Sequence, residues 1–147
     1  MTDVYTRLRE HLDRLPAGFP ATESGVELRI LKRLFTADEA DLALNVGMKL
    51  EPASAIAARA GLPEAEAAGR LRQMSRKGLI FSIEEPDRPH VYMAAQFVIG
   101  IWEYHVNDLD PEFIREMDEY LPTLAQAAFT RVPQLRTIPI GTSVAAA

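Results

Sequence analysis

Four basic residues stand close together in the middle of the chain: Arg70, Arg72, Arg76 and Lys77. A positive strip at the far end of a helix can neutralise nucleic-acid phosphates, which is where most such affinity originates. The competing reading is a solvated helix flank whose C-terminal cations suit the helix dipole. Other chemistry-bearing residues are sparse. His11, His90 and His105 have no metal-ligand spacing and no nucleophile beside them, so they read as surface or interfacial histidines. Asp108, Asp110 and Glu112 form an acidic cluster without the glycine or distal glutamate of a calcium loop, and helix capping accounts for it. The stretch from Gly61 to Gly69 is not followed by the lysine and hydroxyl residue of a phosphate loop. Trp102, Tyr104 and Phe113 offer either a ligand pocket or dimer seam, or plain core packing. No cysteine is present, which removes disulfides, thiol nucleophiles and cysteine-held metal clusters. No acid, base, nucleophile and metal set converges, so no enzymatic activity is expected.

The elements that must carry these residues follow from periodicity and punctuation. Val4, Leu8, Leu12 and Leu15 stripe a first helix over about 3–15, and Phe19 in the following proline–glycine loop is expected to plug the core. Ser24 with Glu27, and Thr36 with Glu39, are spaced as capping boxes for two short helices, the second over 37–46. Pro52 opens a helix over 53–60 with Ile56, Ala57 and Ala60 inward, and Gly61 ends it. Pro63 is placed at the first position of the next helix, with Glu64 and Glu66 in its first turn. Ala68, Leu71 and Met74 face inward there, and Gly78 is its stop. A steep crossing over so short a turn is the spacing of a helix-turn-helix. The period then changes. Leu79–Ile83 and His90–Met93 read as strands around a turn at 84–89, a winged-helix arrangement. Beyond it, Phe97, Val98, Ile101 and Trp102 predict a helix over 96–106. Asp110 and Pro111 start a last helix with Phe113, Met117, Tyr120, Leu121 and Leu124 on one face, which Pro122 should kink or restart. A tail follows, with a short extended piece at 135–140.

The expected fold is therefore mostly α with a small β-hairpin: a winged helix-turn-helix with added N- and C-terminal helices. Its parts are helices over 1–50 packing on the core, the winged helix over 51–93, C-terminal helices over 94–130 and a tail or linker over 131–147. A chain of 147 residues suits one compact domain, and 48% hydrophobic with 25% charged residues is ordinary globular composition. No apolar run is long enough for a membrane span or a signal peptide, so a cytoplasmic protein without membrane partners is expected. The net charge of -5 gives no general attraction for nucleic acid. Between Glu51 and His90 six basic residues meet six acidic ones, and residues 91–147 hold three basic against seven acidic. The first turn of the would-be recognition helix carries Glu64 and Glu66 where base-reading residues normally stand. DNA is thus weakly supported as a ligand.

Laid out in order, several short motifs resemble one known arrangement. They are Tyr5 with Leu8, the loop from Leu15 and Pro16 through Gly18, Phe19 and Pro20, and Gly25–Leu31. Further along come Leu34, Phe35 and Thr36 with Glu39 and Ala40, the junction Lys77–Ile80, Phe97 with Gly100–Glu103, and Leu135–Ile140. Their shared order over nearly the whole chain resembles the N-terminal winged-helix region of ferredoxin-type 4Fe-4S proteins of anaerobic bacteria and archaea. The resemblance implies an electron-transfer context and a cluster-binding domain whose cysteines this chain lacks. It therefore implies either an excised N-terminal domain or a stand-alone version, with no cofactor held by this chain. The expected role is a non-catalytic docking module for a protein partner or cluster-bearing domain, with Trp102, Tyr104 and Phe113 as an interface that also allows a homodimer. The alternative is a homodimeric DNA-binding regulator using Arg70, Arg72, Arg76 and Lys77 on phosphates.

Overall fold

The stripe of leucines near the N-terminus does form a helix, α1 (Val4–Asp13), and buries Leu8 and Leu12 completely or nearly so. The computed structural model describes residues 2–128, so the expected tail over 131–147 lies outside the described residues. After α1 come α2 (Val26–Leu34), α3 (Ala37–Ala43), β1 (Glu51–Pro52), α4 (Ala53–Ala60) and α5 (Glu64–Arg76). The chain continues through β2 (Ile80–Ile83), β3 (Val91–Ala94), α6 (Ile101–Tyr104) and α7 (Pro111–Ala128). The described chain is mostly helical with one small antiparallel sheet of order β1-β3-β2.

Phe19 is fully buried, as its place in the loop predicts. It packs on Phe97 at 4.8 Å and edge-on to Tyr120 at 5.0 Å, so three distant segments meet in one aromatic cluster. Such ring pairs add about 0.5–1.5 kcal/mol each beyond the area they bury. The Tyr120 hydroxyl donates to the Pro20 carbonyl at 3.0 Å and closes the polar end of the cluster. Burial pushes this phenol far above its ordinary pKa, so it stays protonated and remains a donor.

Helix ends follow the sequence signals in some places and depart from them in others. Thr36 and Glu39 form the expected reciprocal capping box on α3, at 3.2 and 2.9 Å. The box expected from Ser24 and Glu27 does not form. Gly25, left-handed at φ 67°, takes the N-cap, and the buried Glu27 carboxylate instead accepts from the Thr22 hydroxyl at 2.5 Å. The same hydroxyl oxygen accepts from the Gly25 amide at 3.1 Å, so Thr22 outcompetes Ser24 for the loop. Helix α3 stops at Ala43, and Asn45 and Val46 continue only as tight turns bonded three residues back. Pro63 is the N-cap of α5 rather than its first helical residue, and Ala67 is more deeply buried than Ala68 beside Leu71 and Met74.

The turn between α4 and α5 is built on Gly61, left-handed at φ 66°, with the Leu62 amide returning to the Ala57 carbonyl at 3.0 Å. Gly78 ends α5 in the same way: it sits at φ 77°, its amide bonds Ser75 O, and the next amide, Leu79, reaches Met74 O. That paired return to the last carbonyls satisfies groups a helix end would leave bare. The hairpin register pairs Ile80 with Ala94 and Ser82 with Tyr92 toward the core, and Phe81 with Met93 and Ile83 with Val91 away from it. Residues 51 and 52, read in sequence only as the lead-in to a helix, add the third strand on the other side of β3.

The helix expected over 96–106 shrinks to the four residues of α6. Tertiary bonds hold the preceding backbone away from helical geometry. The Gln96 side chain accepts from the Ala17 amide at 2.7 Å, Phe97 is locked under Phe19, and Gly100 has a non-helical φ of 156°. In α7 the Asp110 carboxylate caps the Phe113 amide at 2.7 Å, with Pro111 opening the helix as expected. Pro122 does not restart it. The helix runs through, leaving the Asp118 carbonyl without its helical donor. Phe113, Met117, Tyr120 and Leu124 face the core, whereas Leu121 is 51% exposed and leaves that face. One cluster of buried side chains runs from Leu8 to Leu124 across the expected parts.

Candidate functional site

Helix α5 and its C-cap Lys77 present the four cations of the sequence strip, and the structure divides them. Arg70 bonds Glu66 one turn earlier at 2.6 Å and lies 3.8 Å from Asp38 on α3. Lys77 donates to both oxygens of Glu39 at 2.8 and 2.6 Å. Glu39 thus caps α3 and holds Lys77 at once. Desolvation pushes its pKa up, but the bonds from Lys77 and Thr36 outweigh that, and the carboxyl ends below its ordinary value. Arg72 and Arg76 are exposed, and the Arg72 charge lies close enough to the Tyr92 phenol of β3 to act on it. Burial raises the pKa of that phenol, partly opposed by the Arg72 charge. The first turn of α5 holds Glu64, Ala65 and Glu66, all exposed.

Arg72 lines a cleft of about 500 Å³ between α5 and the hairpin. Ser54, Glu64, Arg88, His90 and Tyr92 share it. Arg88 pairs with Glu85 at 3.1 Å on the open turn, where both side chains are at least half exposed. His90 Nδ1 is shielded from water without a hydrogen-bond partner, 3.5 Å from a Glu84 oxygen. An adjoining groove of about 400 Å³ lies between Leu50, Ile83 and Val91, and the two depressions share Pro52, Arg88 and Pro89 as a common rim.

The aromatic trio is not one site. Trp102 meets Phe113 edge-on at 5.5 Å, and Phe113 is 2% exposed, so this pair is core packing. Tyr104 points elsewhere: it lies 6.2 Å from Phe81 and against Gly78, and it is 55% exposed. The histidines stay apart too. His11 bonds the Val46 carbonyl through Nε2 at 3.1 Å, and His105 bonds Ile101 O through Nδ1 at 2.7 Å. Burial lowers the His11 pKa, partly opposed by the Val46 bond. Asp110 and Glu112 are partners of Arg33 at 2.9 Å each, in a network that also takes Glu116 at 3.1 Å. The Phe113 amide first, and Arg33 after it, hold the Asp110 carboxyl below its ordinary value. Among the described residues no three His, Asp or Glu side chains form a metal-ligand set, and no helix is long and apolar enough to cross a membrane.

Sequence reasoning missed Asp38 and Glu39 as neutralisers, because they come from a helix over thirty positions away from their cations. It also missed Leu50 and Ile83 as a groove; nothing in the local pattern around either residue signals that both line one depression. Comparisons with protein-family models, with curated proteins and with solved structures gave no match.

Proposed function

We propose that this chain is a winged-helix docking module, non-catalytic, that serves a ferredoxin-type 4Fe-4S electron-transfer protein in the cytoplasm. The order α4, tight glycine turn, α5, β2, β3 supports the winged-helix reading, with α5 in the recognition position and the hairpin as the wing. The electron-transfer context rests on the motif resemblance. The single observation that carries docking over DNA is the neutralisation of the α5 cations. Asp38, Glu39 and Glu66 already occupy Arg70 and Lys77, and Glu64 joins Glu66 at the end of α5 that would enter a groove. A phosphate-tracking face needs those cations unpaired, since counterion release drives its affinity.

The alternative, a homodimeric regulator, draws on Arg72 and Arg76, which remain exposed and without a carboxylate partner among the described residues. Fluorescence anisotropy with a random 20-base-pair duplex in about 50 mM salt separates the two readings. The docking reading expects no saturation below about 10 μM and, in parallel calorimetry, heat of binding with a purified two-cluster 4Fe-4S ferredoxin domain. Submicromolar duplex binding that collapses with added salt would overturn docking in favour of the regulator.

A further inference from the structure

A small antiparallel sheet with one face on the core ordinarily turns a polar face to water. This sheet departs from that rule. On the core side β2 and β3 place Ser82 and Tyr92 beside Ile80 and Ala94, and the Ser82 hydroxyl is bonded to Ser75 of α5 at 2.6 Å. On the outward side every position of the hairpin strands is apolar: Phe81 opposite Met93, and Ile83 opposite Val91. The patch spreads past the hairpin in both directions. Leu50 continues it on the β1 side, where Pro52 pairs with Val91, and the Tyr104 ring lies 6.2 Å from Phe81 on the other. Leu50, Ile83 and Tyr104 are 45%, 43% and 55% exposed, so the patch is open to solvent. Its apolar area is on the order of 500 Å², at the upper end of what a soluble monomer leaves uncovered.

We propose that this outward sheet face is a self-association surface, and that a second copy of the chain covers it, sheet against sheet about a two-fold axis. Charge selects the occupant. The net charge of -5 opposes the approach of two copies, but the six basic and six acidic residues of 51–90 cancel, and residues 91–147 account for -4 of the total. The charged residues that line the groove, Glu85 and Arg88, are bonded to each other at 3.1 Å, so its rim carries no net charge. A charged partner finds nothing to pair with on this face. A second copy meets an uncharged apolar surface like its own, without like-charge repulsion. The area agrees: the apolar patch of each copy, with its polar rim, approaches the roughly 800 Å² per partner of a standard interface. The groove between Leu50, Ile83 and Val91, about 400 Å³, seats side chains of the opposing sheet, as facing sheets interdigitate. Because both copies use the same patch, the contact closes at the dimer. The inference goes beyond the docking reading and does not depend on it.

Sedimentation equilibrium of the full chain from about 1 to 500 μM tests the proposal. A monomer–dimer equilibrium with a dissociation constant of about 1–100 μM is expected. Added salt should leave it unchanged or tighten it, because screening relieves the net charge without touching an apolar contact. I83E and L50E should each weaken association at least tenfold. L121E, which alters an exposed apolar residue of α7 instead, should change it less than twofold. All three variants alter exposed side chains, and amide NMR spectra unchanged away from the substitution verify folding. Diluting the wild type should shift the amide resonances of Ile83, Val91 and Met93. A monomer throughout the concentration range, a dimer indifferent to I83E and L50E, or an equal loss in L121E would each overturn the proposal. A monomeric chain whose sheet amides shift only when the 4Fe-4S ferredoxin domain is added would give the face to that partner, overturning self-association while docking stands.

Discussion

At the level of single residues, two glycines share a backbone conformation but not a neighbourhood. Gly61 and Gly78 are left-handed at φ 66° and 77°, and a side chain in that region costs about 1–2 kcal/mol. A Cβ at Gly61 meets nothing within 4 Å, whereas one at Gly78 would run into the Tyr104 side chain at its own Cβ. Urea denaturation should therefore show Gly61→Ala losing about 1 kcal/mol and Gly78→Ala at least about 2 kcal/mol more. Equal losses would mean that Tyr104 moves aside freely. His11 makes the second residue-scale prediction. Its folded pKa lies below the ordinary 6.5 because burial disfavours the cation. The unfolded state then binds the extra proton first, so the contribution of neutral His11 is complete above pH 6.5 and is lost as pH falls below it. Carboxylates with lowered pKa, such as Glu39, act in a separate window below their ordinary 4.5. Chemical denaturation at pH 7.5 and 5.5 should show wild type weakening more than His11→Gln over that interval. An identical slope for both would remove His11 from the pH response.

Among the elements, α7 carries an internal contradiction. Its apolar positions recur at helical spacing through Pro122, and packing of Met117, Tyr120 and Leu124 holds the helix together across a residue that opposes it. Proline in a helix interior is about 3 kcal/mol less favourable than alanine, because it removes one hydrogen bond and crowds the preceding turn. Pro122 is exposed, so replacing it disturbs no core contact. Pro122→Ala should raise the unfolding free energy by about 1–3 kcal/mol and slow amide exchange near Asp118. A lower melting temperature in calorimetry would show that the proline shapes a bend the fold requires. The contrast with α6 is instructive. There the apolar spacing was equally helical, yet the Gln96 bond to Ala17 and the seat of Phe97 outweighed propensity.

For the whole molecule, the N- and C-terminal helices are joined by charge as well as by the aromatic cluster. Arg33 on α2 bonds Asp110, Glu112 and Glu116 of the α7 start and also lies over the Phe113 ring at 5.4 Å. Glu116 is the critical partner, because its side chain is only 11% exposed and cannot retreat into water. Arg33→Met keeps the length but removes the cation that Asp110, Glu112 and Glu116 share, leaving Glu116 to Arg29 at 3.6 Å. The cost should be about 1–3 kcal/mol at pH 7 and should shrink as added salt screens the charges. A salt-independent loss would assign the effect to packing on Phe113 instead. The same global view decides the character of α5, whose charge is set by α3: the surface that sequence shows as a cationic strip is half neutralised once the chain folds.

Local signals in the sequence sufficed for the leucine stripe of α1, the Thr36–Glu39 cap, the two glycine stops, the hairpin and the Asp110 start of α7. In each, the partners lie within a few residues or repeat at a fixed period, so one segment contains its own instructions. Only the tertiary structure decided that β1 joins β3, that most of 96–106 is not helical and that Trp102 and Tyr104 part company. It alone brought Asp38 and Glu39 to the cations and put Ile83 and Leu50 on the lining of one groove. Those outcomes depend on bonds and contacts between segments tens of residues apart, and neither propensity nor period carries information about which distant groups will meet.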